Sequence, residues 1–136
     1  MKDLHFLNTK GDIHNKVDDD NDLELQRARF RDQIRILNLI QLYGKEKNIN
    51  KAHRIHDQVL KQNLMSNDAY IATSLITTYA KCGAMDEARR VFEKLPERNV
   101  VSWSALIAGY VQNGYGDEAL RCFTEMKNDG IAPNEL

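Results

Sequence analysis

The sequence predicts an all-α protein, a right-handed α-α superhelix (solenoid) of tandem helix hairpins. Three observations predict this class: an internal repeat, helical spacing of the apolar residues within each unit, and glycines where the helices must end. Four slots recur with unchanged internal spacing, in steps of 36 and then 31 residues. The residues in these slots are Leu39, Leu75 and Leu106; Ile40, Ile76 and Ile107; Tyr43, Tyr79 and Tyr110; and Ala52, Ala88 and Ala119.

The N-terminal residues 1–21 are predicted to be a disordered acidic segment, because Asp18, Asp19 and Asp20 form a solvated charge block and the apolar residues have no sustained period. An organelle presequence is rich in Arg and Ser and poor in acids, whereas no Arg or Ser precedes residue 27. Either the chain has no targeting peptide, or this segment is not a natural N-terminus. No apolar run reaches the ~18 residues that a membrane helix needs.

The first repeat follows a helical lead-in over residues 22–32. Apolar residues spaced by three and four positions predict one long helix, or two abutting helices, from Asp22 to Gly44. Lys47 occupies the slot where later repeats carry glycine, so we expect Asn48 to take the left-handed conformation, as we expect of Asn63. The second helix is predicted from about residue 49 to residue 62.

The second and third repeats each predict two helices. Glycines at the ends of helices favour the left-handed conformation, and Gly83, Gly114 and Gly130 are predicted to serve in this way. Helix B of the second repeat is expected to begin near Met85. In the third repeat, Ser102 is predicted to be the N-cap, with the preceding Val101 packing on Leu106 as a hydrophobic staple. The repeated alanine is small where the two antiparallel helices approach closely.

One stretch of the sequence has the spacing of a dinucleotide-binding turn. Gly114, Gly116 and Ala119 satisfy the spacing G-x-G-x-x-A, and residues 100–111 resemble a preceding strand. Gly114, however, repeats Gly83 as a helix stop, and Asp117 with Glu118 would point two carboxylates at a pyrophosphate. The helical interpretation is therefore favoured, and no cofactor is expected.

Metal and catalytic sites have equally little support. His53 and His56 stand at i and i+3, but His56 occupies the slot of Phe92 and Phe123, which favours a core or interface residue. Neither C-x-x-C nor H-x-E occurs, so a complete zinc deaminase centre is excluded from this chain. No metal, no catalytic residue and no enzymatic activity are predicted.

Charge and cysteine content limit the choice of partners. The formal net charge is -1, so nucleic-acid binding would depend on placed contacts more than on bulk charge. Cys82 and Cys122 are the two cysteines and lie far apart in helical slots, which favours a reduced intracellular protein.

The tandem units resemble the pentatricopeptide repeat family, whose fold is tetratricopeptide-like. The stretch VVSWSALIAGYVQNGYGDEALRCFTEMKNDGIAPN resembles its standard repeat, AYIATSLITTYAKCGAMDEARRVFEKLPERN its short variant, and the preceding unit its long variant. This order resembles the subclass with long, short and standard repeats that is associated with organellar RNA editing. The implied boundaries are 33–68 for the long repeat, 69–99 for the short repeat, 100–134 for the standard repeat, and 135–136 for the start of a further repeat.

The resemblance implies that one repeat reads one nucleotide of single-stranded RNA. The implied readers are the fifth residue of helix A and the last residue of the repeat, namely Thr73 with Asn99 and Ser104 with Asn134. The implied base-sandwiching residues are Tyr70 and Val101. A hydroxyl beside an Asn amide suits adenine. In the first repeat the pair is Leu37 with Asp68, and because Leu37 is apolar we expect a weak reader.

The partners implied by the resemblance are single-stranded RNA, with adenine preferred at the last two repeats, and other editing or processing proteins. The implied location is the mitochondrion or the chloroplast. The C-terminal end of the last repeat, which lacks a polar capping unit, suits stacking on further repeats or on another copy. The alternative to an RNA-binding adaptor is a protein-interaction scaffold that takes a peptide or a partner helix in its concave groove.

Overall fold

The computed structural model describes residues 2–64 and 69–132, with side chains described from residue 21 onward. These residues form six helices and no strand, which confirms the predicted all-α class of tandem helix hairpins. The helices are α1 Lys2–Glu46, α2 Ile49–Lys61, α3 Ala69–Lys81, α4 Met85–Glu93, α5 Val100–Gln112 and α6 Gly116–Asn128. No helix within the described ranges is both long and apolar enough to cross a membrane.

The chain divides into two compact units, Met1–Arg35 and Ile36–Leu136. The first unit consists of the N-terminal part of α1. Disorder was expected over residues 1–21, whereas the structure has helix from Lys2 onward. The sequence has no proline before Pro96, and before Gly44 it has only one glycine, Gly11, so no residue prevents a continuous helix. Of the two alternatives predicted from Asp22, one long helix or two abutting helices, the structure has one continuous helix, and it begins at Lys2, well before Asp22.

The second unit contains the repeats, and their turns follow the predicted glycines. Gly83, Gly114 and Gly130 have φ of 77°, 81° and 83°, in the left-handed region that favours glycine. Asn63 also has a positive φ, of 54°, as predicted. Helix α4 begins at Met85, the residue predicted from sequence.

The turn between α1 and α2 corrects one expectation. Lys47, and not Asn48, takes the left-handed conformation, with φ of 54°. Asn48 is instead the N-cap of α2, and its Oδ1 accepts a hydrogen bond from the backbone N–H of Lys51 at 3.1 Å. An N-cap needs an extended backbone, which Asn48 has at φ -98° and ψ 92°, so the left-handed residue must be the one before it.

The core of this unit lies between the hairpins. The repeated alanines are buried, with Ala52 and Ala88 at 0% exposure and Ala119 at 7%, which confirms that small residues occupy the close contacts between helices. Phe92 on α4 packs edge to face on Trp103 of α5, with the ring centroids 4.6 Å apart. This aromatic pair joins the second repeat to the third.

Contacts between successive repeats set the first helices of the hairpins side by side. The buried Thr78 hydroxyl on α3 donates to the carbonyl oxygen of Ile40 on α1 at 2.9 Å. On the other side of α3, a Cβ at Gly109 would lie 3.0 Å from the Cβ of Ala80, so α5 approaches α3 very closely. Asn113 adds a hydrogen bond from Nδ2 to the carbonyl oxygen of Ala80 at 3.0 Å. The C-terminal part of α1, α3 and α5 therefore lie next to one another.

Candidate nucleic-acid interface

Three parallel stripes of side chains run along α1, α3 and α5. Each stripe consists of residues at i, i+4 and i+8, which share one face of a helix. The stripes are Leu37, Gln41 and Lys45 on α1; Thr73, Thr77 and Lys81 on α3; and Ser104, Ala108 and Gln112 on α5, all of them exposed or half-buried. The α1 and α3 stripes line a common pocket, and the α5 stripe occupies the equivalent positions 31 residues after the α3 stripe. We call the three stripes together the helix-A face.

A pocket of about 250 Å³ opens on this face between α1 and α3. One amide, four hydroxyls and two ammonium groups line it, and no carboxylate does; the residues are Gln41, Lys45, Thr73, Ser74, Thr77, Thr78 and Lys81. Among the described residues, neither lysine forms an ion pair with an acid. Two such cations beside hydroxyl groups suit an anionic ligand that also forms hydrogen bonds, as a nucleic-acid backbone does.

A larger pocket of about 640 Å³ lies at the starts of α2, α4 and α6. Its lining includes the carboxylates of Asp86, Glu87 and Glu118, together with Arg90. Glu87 is already paired with Arg90. The excess of negative charge disfavours a phosphate there, so the helix-A face is the better candidate for nucleic acid.

Asn99 has a structural role that the sequence analysis did not identify. It is the N-cap of α5, with φ of -126° and ψ of -179°, and its Oδ1 accepts hydrogen bonds from the N–H groups of Val101 and Ser102 at 3.0 Å each. Ser102 Oγ accepts from the backbone N–H of Asn99 at 3.0 Å, which completes a capping box. The prediction of Ser102 as the N-cap is therefore wrong, because the helix begins three residues earlier than the sequence analysis placed it.

The capping geometry determines which atoms of Asn99 remain for a ligand. Its Oδ1 is engaged by two backbone donors, so the Nδ2 group is the part of the amide left to contact a ligand. Asn99 is an exposed residue. Asp68 and Asn134, the other two predicted last-position readers, lie outside the described residues.

The other predicted site residues occupy equivalent positions on two adjacent helices. Thr73 and Ser104 are the fifth residues of α3 and α5, and both are half-buried. Tyr70 and Val101 are the second residues of these helices and are 74% and 51% exposed. Because Val101 is exposed within the first turn of α5, the expected staple between Val101 and Leu106 is wrong.

The structure also adds residues that the sequence analysis missed. Lys45 and Lys81 lie two turns after Leu37 and Thr73, and Gln41 and Thr77 lie one turn after them. The helical spacing from the predicted fifth-position residues was the available signal for these four side chains. Their meeting in one pocket depends on the packing of α1 against α3, which no local pattern specifies.

Comparison with known proteins identifies the family of these repeats. A family model described as PPR repeat family matches residues 98–136, and one described as PPR repeat matches residues 70–100. A chloroplastic pentatricopeptide repeat-containing protein of Arabidopsis thaliana is 37% identical over 112 residues, which cover 82% of this chain and 13% of the relative. The chain belongs to the pentatricopeptide repeat family.

A second pentatricopeptide repeat-containing protein of Arabidopsis thaliana, named as mitochondrial, is 42% identical over 105 residues. This match covers 77% of the present chain and 14% of the relative. The chain thus spans a small part of the length of both pentatricopeptide repeat proteins.

The remaining motifs of the sequence are part of the pentatricopeptide repeat fold. Residues 100–112 are helix α5, not a strand, so the glycines after them do not form a dinucleotide-binding turn. His56 is half-buried, and its Nδ1 lies 2.7 Å from the hydroxyl of Tyr79, which confirms it as an interface residue. Burial lowers the pKa of His56 and raises the pKa of Tyr79. Cys82 and Cys122 are both free thiols.

Proposed function

We propose that this chain binds single-stranded RNA along the helix-A face, with one repeat for each nucleotide, as a non-catalytic adaptor in organellar RNA processing or C-to-U editing. The observation that carries the proposal is the pocket between α1 and α3. Lys45, Lys81 and Thr73 line this same pocket, and no carboxylate does. Lysines neutralise phosphates, while hydroxyl and amide groups form hydrogen bonds with base edges.

The proposed readers of adenine are Thr73 with Asn99 and Ser104 with Asn134. The Oδ1 of Asn99 stays in the cap of α5, so its Nδ2 donates to a ring nitrogen of adenine. The Thr73 hydroxyl accepts from the adenine amino group. The exposed side chains of Tyr70 and Val101 cover the two faces of the base, and stacking of this kind contributes about 1–3 kcal/mol per base.

The organellar role is supported by the relatives and by the order of the repeats. Relatives with 37% and 42% identity are named as chloroplastic and mitochondrial. The order of long, short and standard repeats supports membership of the subclass associated with RNA editing. The proposed partners are therefore RNA and, through it, other editing or processing proteins.

A protein-interaction scaffold is the second candidate function. It is favoured by the exposure of two large apolar side chains on the third repeat, Val111 at 60% and Leu120 at 69%. Such side chains suit a partner helix, a further repeat or another copy of the chain. Val111 lies at the C-terminal end of α5 and Leu120 lies on α6, so these side chains are separate from Thr73 and Asn99.

The decisive experiment measures binding of the purified chain to short single-stranded RNAs that contain an AA step, with GG, UU and CC steps as controls, at low and physiological salt. We expect a preference for adenine. In the double variant Asn99→Asp, Asn134→Asp we expect the preference to move to guanine, because a carboxylate accepts from guanine N–H groups. Asp is as good an N-cap as Asn, so α5 keeps its first turn.

A further variant separates the reading role of Asn99 from its capping role. Asn99→Ala removes the reader and the cap together, and we expect it to lose base preference and about 1 kcal/mol of folding stability. The aspartate variant separates these effects because it retains the cap. Binding that is absent or independent of the base, from protein shown to be helical by circular dichroism, would reject modular reading and favour the interaction scaffold.

A further inference from the structure

The first repeat differs from the other two at the fifth position of its helix A. Where α3 and α5 carry the hydroxyls of Thr73 and Ser104, α1 carries Leu37. Leu37 is partly buried and packs against the core. An apolar side chain cannot form a hydrogen bond with a base edge, so the first repeat lacks a reader in the expected slot.

Gln41 lies one helical turn after Leu37 in the same stripe, and it is exposed. It lines the pocket between α1 and α3 together with Thr73 and Thr77. Within the part of the chain that the structure describes, its amide forms no hydrogen bond, so both its donor and its acceptor are available to a ligand.

Helix geometry brings the Gln41 amide towards the slot of Leu37. Long side chains in a helix lean towards its N-terminus and cover the turn that precedes their own Cα. The turn preceding Gln41 contains Leu37. A glutamine at this place can therefore present an amide above Leu37, while the leucine itself supports the base from below by apolar contact.

We propose that Gln41 is the base-contacting residue of the first repeat and replaces the function that Leu37 cannot provide. The ligand is the nucleotide next to the one read by Thr73 and Asn99, and this inference rests on the RNA-binding function proposed above. Lys45, one turn further along the stripe, provides a cation beside the same nucleotide. The first repeat is thus a selective reader through a residue that lies one turn away from the usual slot.

The test uses a pool of short RNAs in which two adenines are flanked on both sides by randomised nucleotides. The full chain selects from the pool, and sequencing of the bound fraction gives the base preference at each flanking position. We expect the wild-type chain to prefer one base about tenfold at one neighbouring position, since an amide that contacts a base edge discriminates by this order. In Gln41→Ala we expect that preference to disappear while the preference for the two adenines remains.

Gln41→Glu is the second variant, and it separates reading from a general effect on affinity. A carboxylate only accepts hydrogen bonds, so we expect the flanking preference to move towards guanine. Gln58→Ala is the matched control, because Gln58 lies on α2 in a separate pocket with Leu39 and Arg54 and should leave the selected sequences unchanged. Gln41 is exposed and alanine favours helix, so the variants should fold.

Three results would overturn the inference while the chain still selects RNA. The flanking preference could persist in Gln41→Ala, or the variant could lose affinity equally for all four flanking bases, which would indicate contact with the RNA backbone only. The wild-type chain could also show no flanking preference. If selection of the two adenines still responds to Asn99→Asp, the proposed function stands and only the role of Gln41 fails. If no RNA is selected at all, both fail.

Discussion

The second and third repeats share one sequence pattern but differ in how one of their faces is covered. In the second repeat, Ala80 and Phe92 are 4% and 0% exposed, because α5 packs on them. Their equivalents 31 residues later are Val111, which is 60% exposed, and Phe123, which is half-buried. A repeat therefore determines its own hairpin, whereas the burial of its outer face depends on the repeat that packs on it.

Arg89 and Leu120 show the same difference in chemical terms. Arg89 on α4 donates from Nη2 to Glu125 Oε2 at 3.2 Å and from Nη1 to Cys122 Sγ at 3.3 Å, both on α6. The equivalent residue in the third repeat is Leu120, which is 69% exposed. The same repeat position thus carries a polar contact between repeats in the second repeat and an exposed apolar side chain in the third.

The largest expected change in stability comes from truncating Phe92, and truncating Phe123 should cost less. Phe92→Ala should lower the free energy of unfolding by about 3–5 kcal/mol, because it leaves a cavity beside Trp103. Phe123→Ala should cost about 1–2 kcal/mol, since only part of that ring leaves water on folding. Urea unfolding followed by far-ultraviolet circular dichroism measures both, and equal losses would show that the two faces are equally covered.

A smaller loss of stability is expected from a larger side chain where α3 and α5 are in close contact. Gly109→Val should lower the free energy of unfolding by about 1–3 kcal/mol, because its side chain meets Ala80 and Met85 at distances near 3 Å. Gly116→Ala is the matched control: apart from its chain neighbours and the backbone of its own helix, no atom lies within 4 Å of its added Cβ, and we expect a gain of about 0.4–1 kcal/mol. Thermal unfolding compares them, and a neutral Gly109→Val would indicate that the helices separate easily.

The smallest expected changes in stability come from substitutions at the equivalent positions Arg89 and Leu120. Arg89→Leu should cost about 0.2–1 kcal/mol, because it removes a partly exposed ion pair with Glu125. Leu120→Arg, on an exposed surface, should stay within about 0.5 kcal/mol of wild type. The cost of Arg89→Leu should shrink at high salt, which screens the ion pair. A loss that is independent of salt would assign the role of Arg89 to packing.

Sequence reasoning predicted the local features of the fold well. The turns at Gly83, Gly114 and Gly130 and the start of α4 could be predicted because they depend on a few neighbouring residues. The turn at Lys47 was assigned to the wrong residue, since Asn48 suits both a left-handed position and an N-cap. Asn99 and Ser102 likewise stand three residues apart as the two members of a capping box, and the sequence did not show which one begins the helix.

The candidate site could be predicted only in part. The repeat register located Thr73 and Ser104, which the structure places at equivalent positions on adjacent helices. The pocket around Thr73 could not be predicted, because it requires α1 to pack on α3 through the hydrogen bond from Thr78 to Ile40. That contact joins residues 38 positions apart, beyond the reach of any local pattern.

Under the RNA-binding function proposed above, the capping box at Asn99 limits which side chains can replace it during evolution. The side chain that would contact a base must also satisfy the first N–H groups of α5, and only Ser, Thr, Asp and Asn do this well. Larger residues such as Arg or Gln would give up that cap. Few residue types can therefore occupy position 99 and both cap α5 and contact a base. Exchange between Asn and Asp changes hydrogen-bonding character while it preserves the helix, so under the proposed function we expect single substitutions here to change RNA specificity with little loss of stability.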